Sequence, residues 1–375
     1  MTPFAIAGPQ RILFGRGEAA KAPALIAAFG ARGIVVHGAT RMRAEWLIAA
    51  LGADVLALPC PGEPTLADLE AAVLLARAHA PHWVVAIGGG AVLDLGKALA
   101  GLIPSPSPAM DHLEVVGRAL PLSADPLPYI AIPTTSGTGA EATRNAVIGL
   151  PEHGRKVSLR DDRMIARLAI VDPALTDGCP RGVTLASGLD ALVQVIEPYV
   201  SCKATPYTDA LTLPVMGPGL TALRRLMDGE DATARDTMAW MSLCGGLALS
   251  NAGLGAVHGL AGVIGGITGA AHGAICGALI GPVLAANRAA AGGAVRERLD
   301  RVCEVLAVVL GCDPGAAPEV LKDWAQGAGL PALCDLGVAP ADHRAIADAA
   351  LASSSMKGNP VLLSSAELEE ILQRA

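Results

Sequence analysis

Aromatic and charged side chains are both scarce in this 375-residue chain, and their scarcity limits its partners. Aromatic residues make up 3% of the sequence and charged residues 17%, with a net charge of −7 and no basic run. Few aromatic rings leave little platform for stacking nucleotide bases, and an acidic chain is repelled by nucleic acid and by anionic lipid. We therefore expect neither nucleic acid nor a membrane among its partners.

Cysteine pairs and a secretory leader are also lacking. The eight cysteines are scattered without any C-x-x-C spacing, and residues 1–15 have no basic start followed by a long apolar core. This pattern is typical of reduced thiols in a cytoplasmic protein. A disulfide framework is the less favoured interpretation.

Charged residues are missing altogether from residues 237–287, a stretch long enough to cross a bilayer. Glycine recurs there every few residues, and no Lys/Arg cluster or Trp/Tyr belt frames the stretch. Its polar interruptions are Asn251, His258, His272 and Asn287. The pattern favours buried helices of a large soluble domain over a membrane span.

The first half of the chain, by contrast, is rich in short apolar runs that alternate with helical stretches. The runs are GIVVHG (33–38), DVLALP (54–59), WVVAIGGG (83–90), YIAIPTT (129–135) and LAIVDP (168–173). Continuous apolar strands between helices predict a Rossmann-like parallel sheet covered on both faces. Helical patterns replace the strands after Pro180. We predict an α/β domain over residues 1–180 and an all-helical domain over residues 181–375, with a ligand cleft between them.

Two glycine-rich turns follow predicted strands in the first half. In AIGGGAVLDLGKALA, bare backbone at Gly88–Gly90 opens a helix and can approach a diphosphate. In IPTTSGTGAEAT, Thr134, Thr135 and Thr138 offer hydroxyl groups beside further glycines. Either turn alone fits an ordinary loop, but two of them on neighbouring strand ends indicate a dinucleotide crevice.

The choice between NAD and NADP stays open at this stage. No acidic residue follows the first of the apolar runs to bind a ribose 2′-hydroxyl. Arg41 and Arg43 stand there instead, either to meet a 2′-phosphate or as solvated charges of a helix face.

The helical half carries a few polar residues in apolar surroundings. Asp190 and Gln194 are four apart, so both lie on one helix face, and a buried carboxylate needs a partner. His258 and His272 would be roughly 21 Å apart on one straight helix. Between them lie possible helix breaks at Gly265, Gly266 and Gly269. If the chain turns back there, one carboxylate and two imidazoles suit zinc or iron; otherwise both histidines are ordinary core residues.

Taken together, these segments resemble the iron-containing (group III) alcohol dehydrogenase family over almost the whole chain. The similar motifs are GGGAVLDLGKALA, PTTSGTGAEAT, LAIVDPALT, SGLDALVQVIEPYVS, NAGLGAVHGLAG, AHG and MKGNPVLLSSAELEEIL. The resemblance implies the dehydroquinate synthase-like fold, with an NAD(P)-binding α/β domain and a helical domain that holds a divalent metal. It also implies hydride transfer between an alcohol and NAD(P), and a homodimer or larger homo-oligomer.

By position, Asp190, His258 and His272 match three metal ligands of that family. Gln194 stands where a fourth ligand, a histidine, is usual, and Gly262 stands where the family often has a histidine near the nicotinamide. Glutamine is a weaker ligand, yet the similar glycerol dehydrogenases use one aspartate and two histidines. The resemblance therefore still implies bound Fe²⁺ or Zn²⁺.

The resemblance also assigns cofactor contacts. They are Gly89, Gly90, Thr134, Thr135, Thr138 and Lys156. Lys156, in GRKVSL, matches a family lysine close to the cofactor, although it also fits an exposed charge in a turn.

Three other functions remain open. Gln194 favours a metal-independent reductase of the same fold, similar to maleylacetate reductases. A sugar-phosphate cyclase similar to dehydroquinate synthase would need several basic residues that the helical motifs lack. A non-catalytic nucleotide-binding protein is the third alternative. The sequence does not identify the small alcohol or aldehyde substrate.

Overall fold

The computed structural model of the chain describes residues 3–375. Its contacts divide the chain into two compact units. The α/β unit comprises Ala7–Thr135 and Gly139–Thr176. The helical unit comprises Asp177–Ala375, the short segment Ser136–Thr138 and the described residues up to Ile6. The main change of unit falls between Thr176 and Asp177, and the domain boundary at residue 180 stays a prediction.

A six-stranded parallel sheet forms the centre of the α/β unit, in the strand order β1-β8-β5-β4-β2-β3. The strands are β1 (Ile12–Phe14), β2 (Gly33–His37), β3 (Val55–Pro59), β4 (Trp83–Gly88), β5 (Tyr129–Pro133), β6 (Asn145–Leu150), β7 (Arg155–Arg160) and β8 (Leu168–Val171). The helices are α1 (Ala22–Ala27), α2 (Glu45–Leu51), α3 (Leu66–His79), α4 (Gly90–Leu102) and α5 (Ala109–His112). The α/β class and the parallel sheet are confirmed.

The apolar strands are continuous because both faces of the sheet are buried. Ile34 and Val36 of β2 join the hydrophobic cluster on one face, and Val35 between them joins the cluster on the other. Val84 and Val85 of β4 divide in the same way. Successive side chains of a strand point to opposite faces, so a sheet with two covered faces needs apolar residues at every position.

Three of the eight strands found among residues 3–375 were not predicted from the sequence. β1 is only three residues long, while β6 and β7 pair antiparallel as a separate hairpin. Arg155, Lys156 and Arg160 give β7 a polar character that hides it from a search for apolar runs. The hairpin nevertheless buries Ile148, Val157 and Leu159, which belong to the same cluster as one face of the main sheet.

Nine helices make up the helical unit among the described residues. They are α6 (Arg181–Val200), α7 (Pro206–Asp228), α8 (Ala232–Ala252), α9 (Ala256–Thr268), α10 (His272–Ala290), α11 (Gly293–Leu310), α12 (Ala317–Gly327), α13 (His343–Leu351) and α14 (Ser365–Arg374). Helix α6 lies at the centre and packs against α7, α8, α10 and α11. Every residue of α6 from Gly188 to Val200 is buried. The predicted all-helical second half is confirmed.

The uncharged stretch contains the one helix of residues 3–375 that alone is long and apolar enough for a membrane span, His272–Ala290. Its apolar window is 67% buried inside the protein, as in the core helix of a soluble protein. α8 and α9 pass the same test only as a pair, and they are bent by 99° at their junction. Length and composition are therefore weak support for a membrane span in this chain.

Candidate active site

Helix α6 places a carboxylate in the core of the helical unit. Asp190 and Gln194 lie one turn apart on α6, and each is only 2% exposed. Among residues 3–375, Asp190 Oδ1 has no hydrogen-bond partner. A buried carboxylate oxygen without a partner is costly, so this atom is suited to a cation.

His258 lies in the first turn of α9 and is held by a second buried carboxylate. Glu197, on α6, faces His258 Nδ1 with Oε2 at 2.7 Å, and its Oε1 accepts the backbone N–H of Val257 at 2.7 Å. If Nδ1 donates its proton to Glu197, the lone pair of Nε2 is left free to bind a metal. His258 Nε2 lies 3.4 Å from Asp190 Oδ1, so this free nitrogen faces the unpartnered oxygen.

A sharp turn returns the chain from α9 to the same place. α9 ends before Gly269, whose φ of +68° is the left-handed conformation that glycine adopts most easily. Gly265 and Gly266, also considered as break points, lie instead inside α9. Tertiary packing outweighs their low helix propensity, since Ile264 and Gly265 are buried.

Two glycines let α10 lie directly on α6. A Cβ on Gly273 would be 2.4 Å from the carbonyl oxygen of Ala186, and a Cβ on Gly277 would be 2.7 Å from Leu189 Cδ1. Both distances are shorter than van der Waals contact. Their neighbours His272 and Cys276 thereby reach Asp190, which follows Leu189 on α6.

Four side chains meet at this helix junction. The possible ligand atoms of Asp190, His258, His272 and Cys276 all lie within 4.8 Å of one another. His272 Nε2 is 3.8 Å from Asp190 Oδ1 and 3.5 Å from Cys276 Sγ. Two donors on one tetrahedral zinc are typically roughly 3.3–3.8 Å apart. This set of donors therefore fits a divalent ion.

The charges of the cluster also attract a cation. Burial acts to raise the pKa of Asp190, but His258 and His272 outweigh it and lower that pKa. Burial likewise acts to lower the pKa of His272, whereas Cys276 and Asp190 raise it to about 9. The carboxylate of Asp190 thus draws positive charge onto the imidazoles, and a divalent ion would supply that charge in place of protons.

Sequence reasoning missed both Cys276 and Glu197. Cys276 is a free, fully buried thiol on α10 one turn after His272, and a buried cysteine usually behaves as a small apolar residue. Its spacing of four from His272 is the available signal, since such pairs share a helix face. Glu197 could have been noted as a carboxylate in an otherwise apolar run.

Gln194 uses its amide nitrogen to hold a loop. Its Nε2 donates to the carbonyl of Gly137 at 3.0 Å and approaches Asp190 Oδ2 at 3.4 Å. A Cβ on Gly137 would lie 2.8 Å from Ser187 Cβ, so this loop packs tightly on α6. Gln194 Oε1 is buried without a hydrogen-bond partner in the part of the chain that the structure describes.

In the α/β unit, the two glycine-rich turns are adjacent. β4 and β5 are neighbouring parallel strands, and Thr134 N–H donates to the Gly88 carbonyl at 2.9 Å. A Cβ on Gly89 would touch Thr135 at 3.4 Å, and Gly90 begins α4. The structure thus brings Gly89, Gly90, Thr134 and Thr135 together at the carboxyl edge of the sheet. Glycine at the helix N-cap leaves room for an anion to approach the backbone.

A buried lysine supports the second turn. Lys97 of α4 is fully buried, and its Nζ donates to the carbonyls of Ala140 and Asn145 and to Thr143 Oγ1 at 2.7–2.9 Å. Burial lowers the pKa of Lys97 to about 8 despite nearby carboxylates. This lysine belongs to the first glycine motif, and its contacts show how that motif fixes the end of the second.

Of the remaining candidates, Lys156 and Arg41 lie outside those two turns, and Thr138 lies within the second. Lys156 is on β7 and pairs with Glu63, while Arg41 pairs with Glu45 at 2.7 Å on the surface. Thr138 belongs to the short segment counted with the helical unit. A side chain at Gly262 would meet nothing within 4 Å among the described residues, so the position usual for a histidine is open space.

Two family models cover nearly the whole chain. Residues 9–173 match the iron-containing alcohol dehydrogenase model, and residues 184–375 match the C-terminal model of the Fe-containing alcohol dehydrogenase family. The chain is 34% identical over 330 residues to the probable alcohol dehydrogenase EutG of Salmonella typhimurium. The aligned region covers 88% of this chain and 82% of EutG. The chain is 32% identical over 313 residues to lactaldehyde reductase of Escherichia coli, covering 83% and 80%.

A solved structure shows the same similarity. Alcohol dehydrogenase from Oenococcus oeni superimposes with a TM-score of 0.89 at 26% identity. The match covers 99% of both chains.

Proposed function

Since the chain belongs to the iron-containing alcohol dehydrogenase family, we propose a metal-dependent active site built on α6, α9 and α10. The chain is an NAD(P)-dependent oxidoreductase that interconverts an alcohol and an aldehyde or ketone. In the oxidising direction the alcohol gives a hydride to NAD(P)⁺ and a proton to solvent or a base. The residues of this chain that perform the reaction divide into a metal site and a cofactor site.

Asp190, His258 and His272 are the proposed metal ligands and catalytic residues. The observation that carries this proposal is the convergence of their ligand atoms with the unpartnered, buried Oδ1 of Asp190. A divalent ion in such a site lowers the pKa of an alcohol and polarises a carbonyl group. Glu197 fixes the ring of His258, and burial of Asp190 and His258 keeps water away from those two groups.

The adjacent turns of the α/β unit are the proposed site for the cofactor diphosphate. Gly89 and Gly90 offer backbone at the start of α4, and Thr134 and Thr135 offer hydroxyl groups beside them. Thr138 and Lys156 remain proposed contacts on the strength of the family pattern. Their roles can be tested by NAD(P)H affinity in alanine variants.

Cofactor choice, metal, location and assembly are also proposals. NAD and NADP are both retained, because Arg41 is paired with Glu45 and would have to leave it to meet a 2′-phosphate. Fe²⁺ and Zn²⁺ both suit imidazole and carboxylate ligands. A cytoplasmic homodimer or larger homo-oligomer acting on a small alcohol or aldehyde remains our expectation. The similar proteins carry the names of different activities, so a substrate panel assayed with both NADH and NADPH must identify the substrate.

The test combines metal analysis with one substitution. Metal content and activity of the purified enzyme are measured before and after chelation, and activity should fall with the metal and return when the metal is restored. Asp190→Ala should lower kcat far more than NAD(P)H affinity, because the residue serves the metal rather than the cofactor. Asp190→Asn is the shape-matched control for folding.

The alternative is a metal-independent reductase of the same fold, and Gln194 in place of a fourth histidine is the observation in its favour. Full activity after complete removal of metal would establish this alternative and reject the metal-dependent site. Unchanged kcat in Asp190→Ala would remove that residue from the mechanism.

A further inference from the structure

The helix that supplies His272 also brings a thiol to the candidate metal site. Cys276 follows His272 by one helical turn, so both side chains point the same way from α10. Its Sγ is 3.5 Å from His272 Nε2 and within 4.8 Å of a ligand atom of Asp190 and of His258. The thiol thus lies beside all three proposed ligands.

We propose that Cys276 is the fourth metal donor of this site, and that its sulfur makes the site select zinc over Fe²⁺. The proposal rests on the proposed metal-dependent function, and it gives Cys276 the place that the family pattern assigns to residue 194. Cys276 binds as the thiolate and releases its proton to solvent when the ion enters.

Gln194 is poorly placed for the same task. The part of its amide nearest Asp190 is the nitrogen, which donates hydrogen bonds and has no lone pair for a metal. Rotating the amide by 180° would turn its oxygen toward the carbonyl oxygen of Gly137, 3.0 Å from the present nitrogen, and two acceptors would then face each other. The hydrogen bond to Gly137 therefore fixes the amide with its nitrogen beside Asp190. The amide oxygen, which could bind a metal, is held on the other side.

The separations between donor atoms favour Cys276 Sγ as the fourth metal donor. Donor separations of 3.4, 3.5 and 3.8 Å link His258, Asp190, His272 and Cys276 in one chain of contacts. Those separations match the edges of a tetrahedron around zinc, roughly 3.3–3.8 Å. Thiolate is a softer donor than imidazole or amide oxygen, so replacing the usual histidine by cysteine shifts preference from iron toward zinc.

Cobalt substitution tests the assignment without relying on turnover. The enzyme is stripped with a chelator, loaded with Co²⁺, and its near-ultraviolet absorption is recorded for a thiolate-to-cobalt charge-transfer band. The band should be present in the unmodified enzyme and lost in Cys276→Ala and Cys276→Ser. Zn²⁺ competition should show at least a roughly tenfold loss of affinity in both variants.

Cys303→Ala is the matched control. Cys303 is another fully buried thiol of the helical unit, on α11, and it is not among the four clustered residues. Its variant should keep both the band and the zinc affinity. Circular dichroism of the metal-free variants distinguishes loss of the metal ligand from loss of the fold. Cys276→Ser has nearly the same side-chain shape as the original, so it tests the role of the thiol even if Cys276→Ala fails to fold.

The outcomes separate this inference from the proposed function. Co²⁺ bound without a thiolate band, with binding abolished by Asp190→Ala, would overturn the role of Cys276 and leave the metal-dependent function standing. A thiolate-to-cobalt band that persists in Cys276→Ala would also overturn the role of Cys276 as a metal ligand. An enzyme that stays fully active after complete removal of every metal would reject both proposals together.

Discussion

The contact between α10 and α6 gives the sharpest prediction, because a single methyl group should disturb the metal site from outside it. In Gly273→Ala the new Cβ would lie 2.4 Å from the carbonyl oxygen and 2.8 Å from the carbonyl carbon of Ala186. Both atoms belong to the backbone of α6 and cannot rotate away. An ordinary contact is about 3.4 Å or more, so α10 must move by about 1 Å.

That displacement has two consequences of predictable size. Overpacking a well-packed core typically costs about 1–3 kcal/mol. In a unit of this size each kcal/mol lowers Tm by about 2–4 °C. His272 is carried by the displaced helix while Asp190 stays on α6. Because metal–ligand distances tolerate only about 0.2 Å, zinc affinity should fall by more than about tenfold.

The assay measures Tm of the metal-free protein by circular dichroism and Zn²⁺ affinity by competition with a chelator. Gly262→Ala is the matched control, because it makes the same change inside α9, where the new Cβ meets nothing within 4 Å among the described residues. The control should be neutral or up to about 1 kcal/mol more stable. The argument from close contact between α10 and α6 would be refuted if Gly273→Ala kept the wild-type Tm and zinc affinity. It would also be refuted if Gly273→Ala and Gly262→Ala were destabilised equally.

Two further predictions concern other carboxylates. Glu197→Gln should lower zinc affinity by about 10–100-fold with little change in NAD(P)H affinity, since Glu197 orients His258; equal zinc affinity in a chelator competition would contradict this. At Asp161, burial acts to raise the pKa, but hydrogen bonds from Arg163 outweigh it and lower the pKa to about 2. Its stabilisation is therefore present above about pH 4 and lost as pH falls toward 2, so Asp161→Asn should destabilise at pH 7 but not at pH 2 in urea titrations. Asp125→Asn, which removes an exposed partner of the same arginine, should have little effect at either pH.

The parallel sheet and the helical half could be predicted because their patterns are local. A run such as WVVAIGGG is apolar at every position of the strand, and it ends in glycines where the chain must turn into α4. The hairpin of β6 and β7 could not be found this way. β7 carries the charged residues Arg155, Lys156 and Arg160, and the pairing of the two strands is a contact between segments rather than a pattern within one.

The site was predictable as a set of residue types but not as a geometry. Asp190 and the two histidines stand out as polar residues in apolar surroundings, and Gly269 marks a possible turn. Glu197 and Cys276 have only weak signals in the sequence, and their part in the site follows from the placement of α9 and α10 against α6. Whether Gln194 or Cys276 is the better fourth donor depends on the orientation of the Gln194 side-chain amide. The backbone carbonyl of Gly137, 57 positions earlier in the chain, fixes that orientation.

The uncharged composition of residues 237–287 follows from what the site requires. Asp190 and His258 are buried, and an unpaired lysine or glutamate facing them from residues 237–287 would be costly; Glu197 of α6 is accommodated there because His258 and the Val257 N–H pair with it. α10 must also approach α6 closely enough for His272 to reach a carboxylate on it, which requires glycine at 273 and 277. The segment is uncharged enough to resemble a membrane span, yet its glycines at 273 and 277 allow close contact between helices and its two histidines meet Asp190.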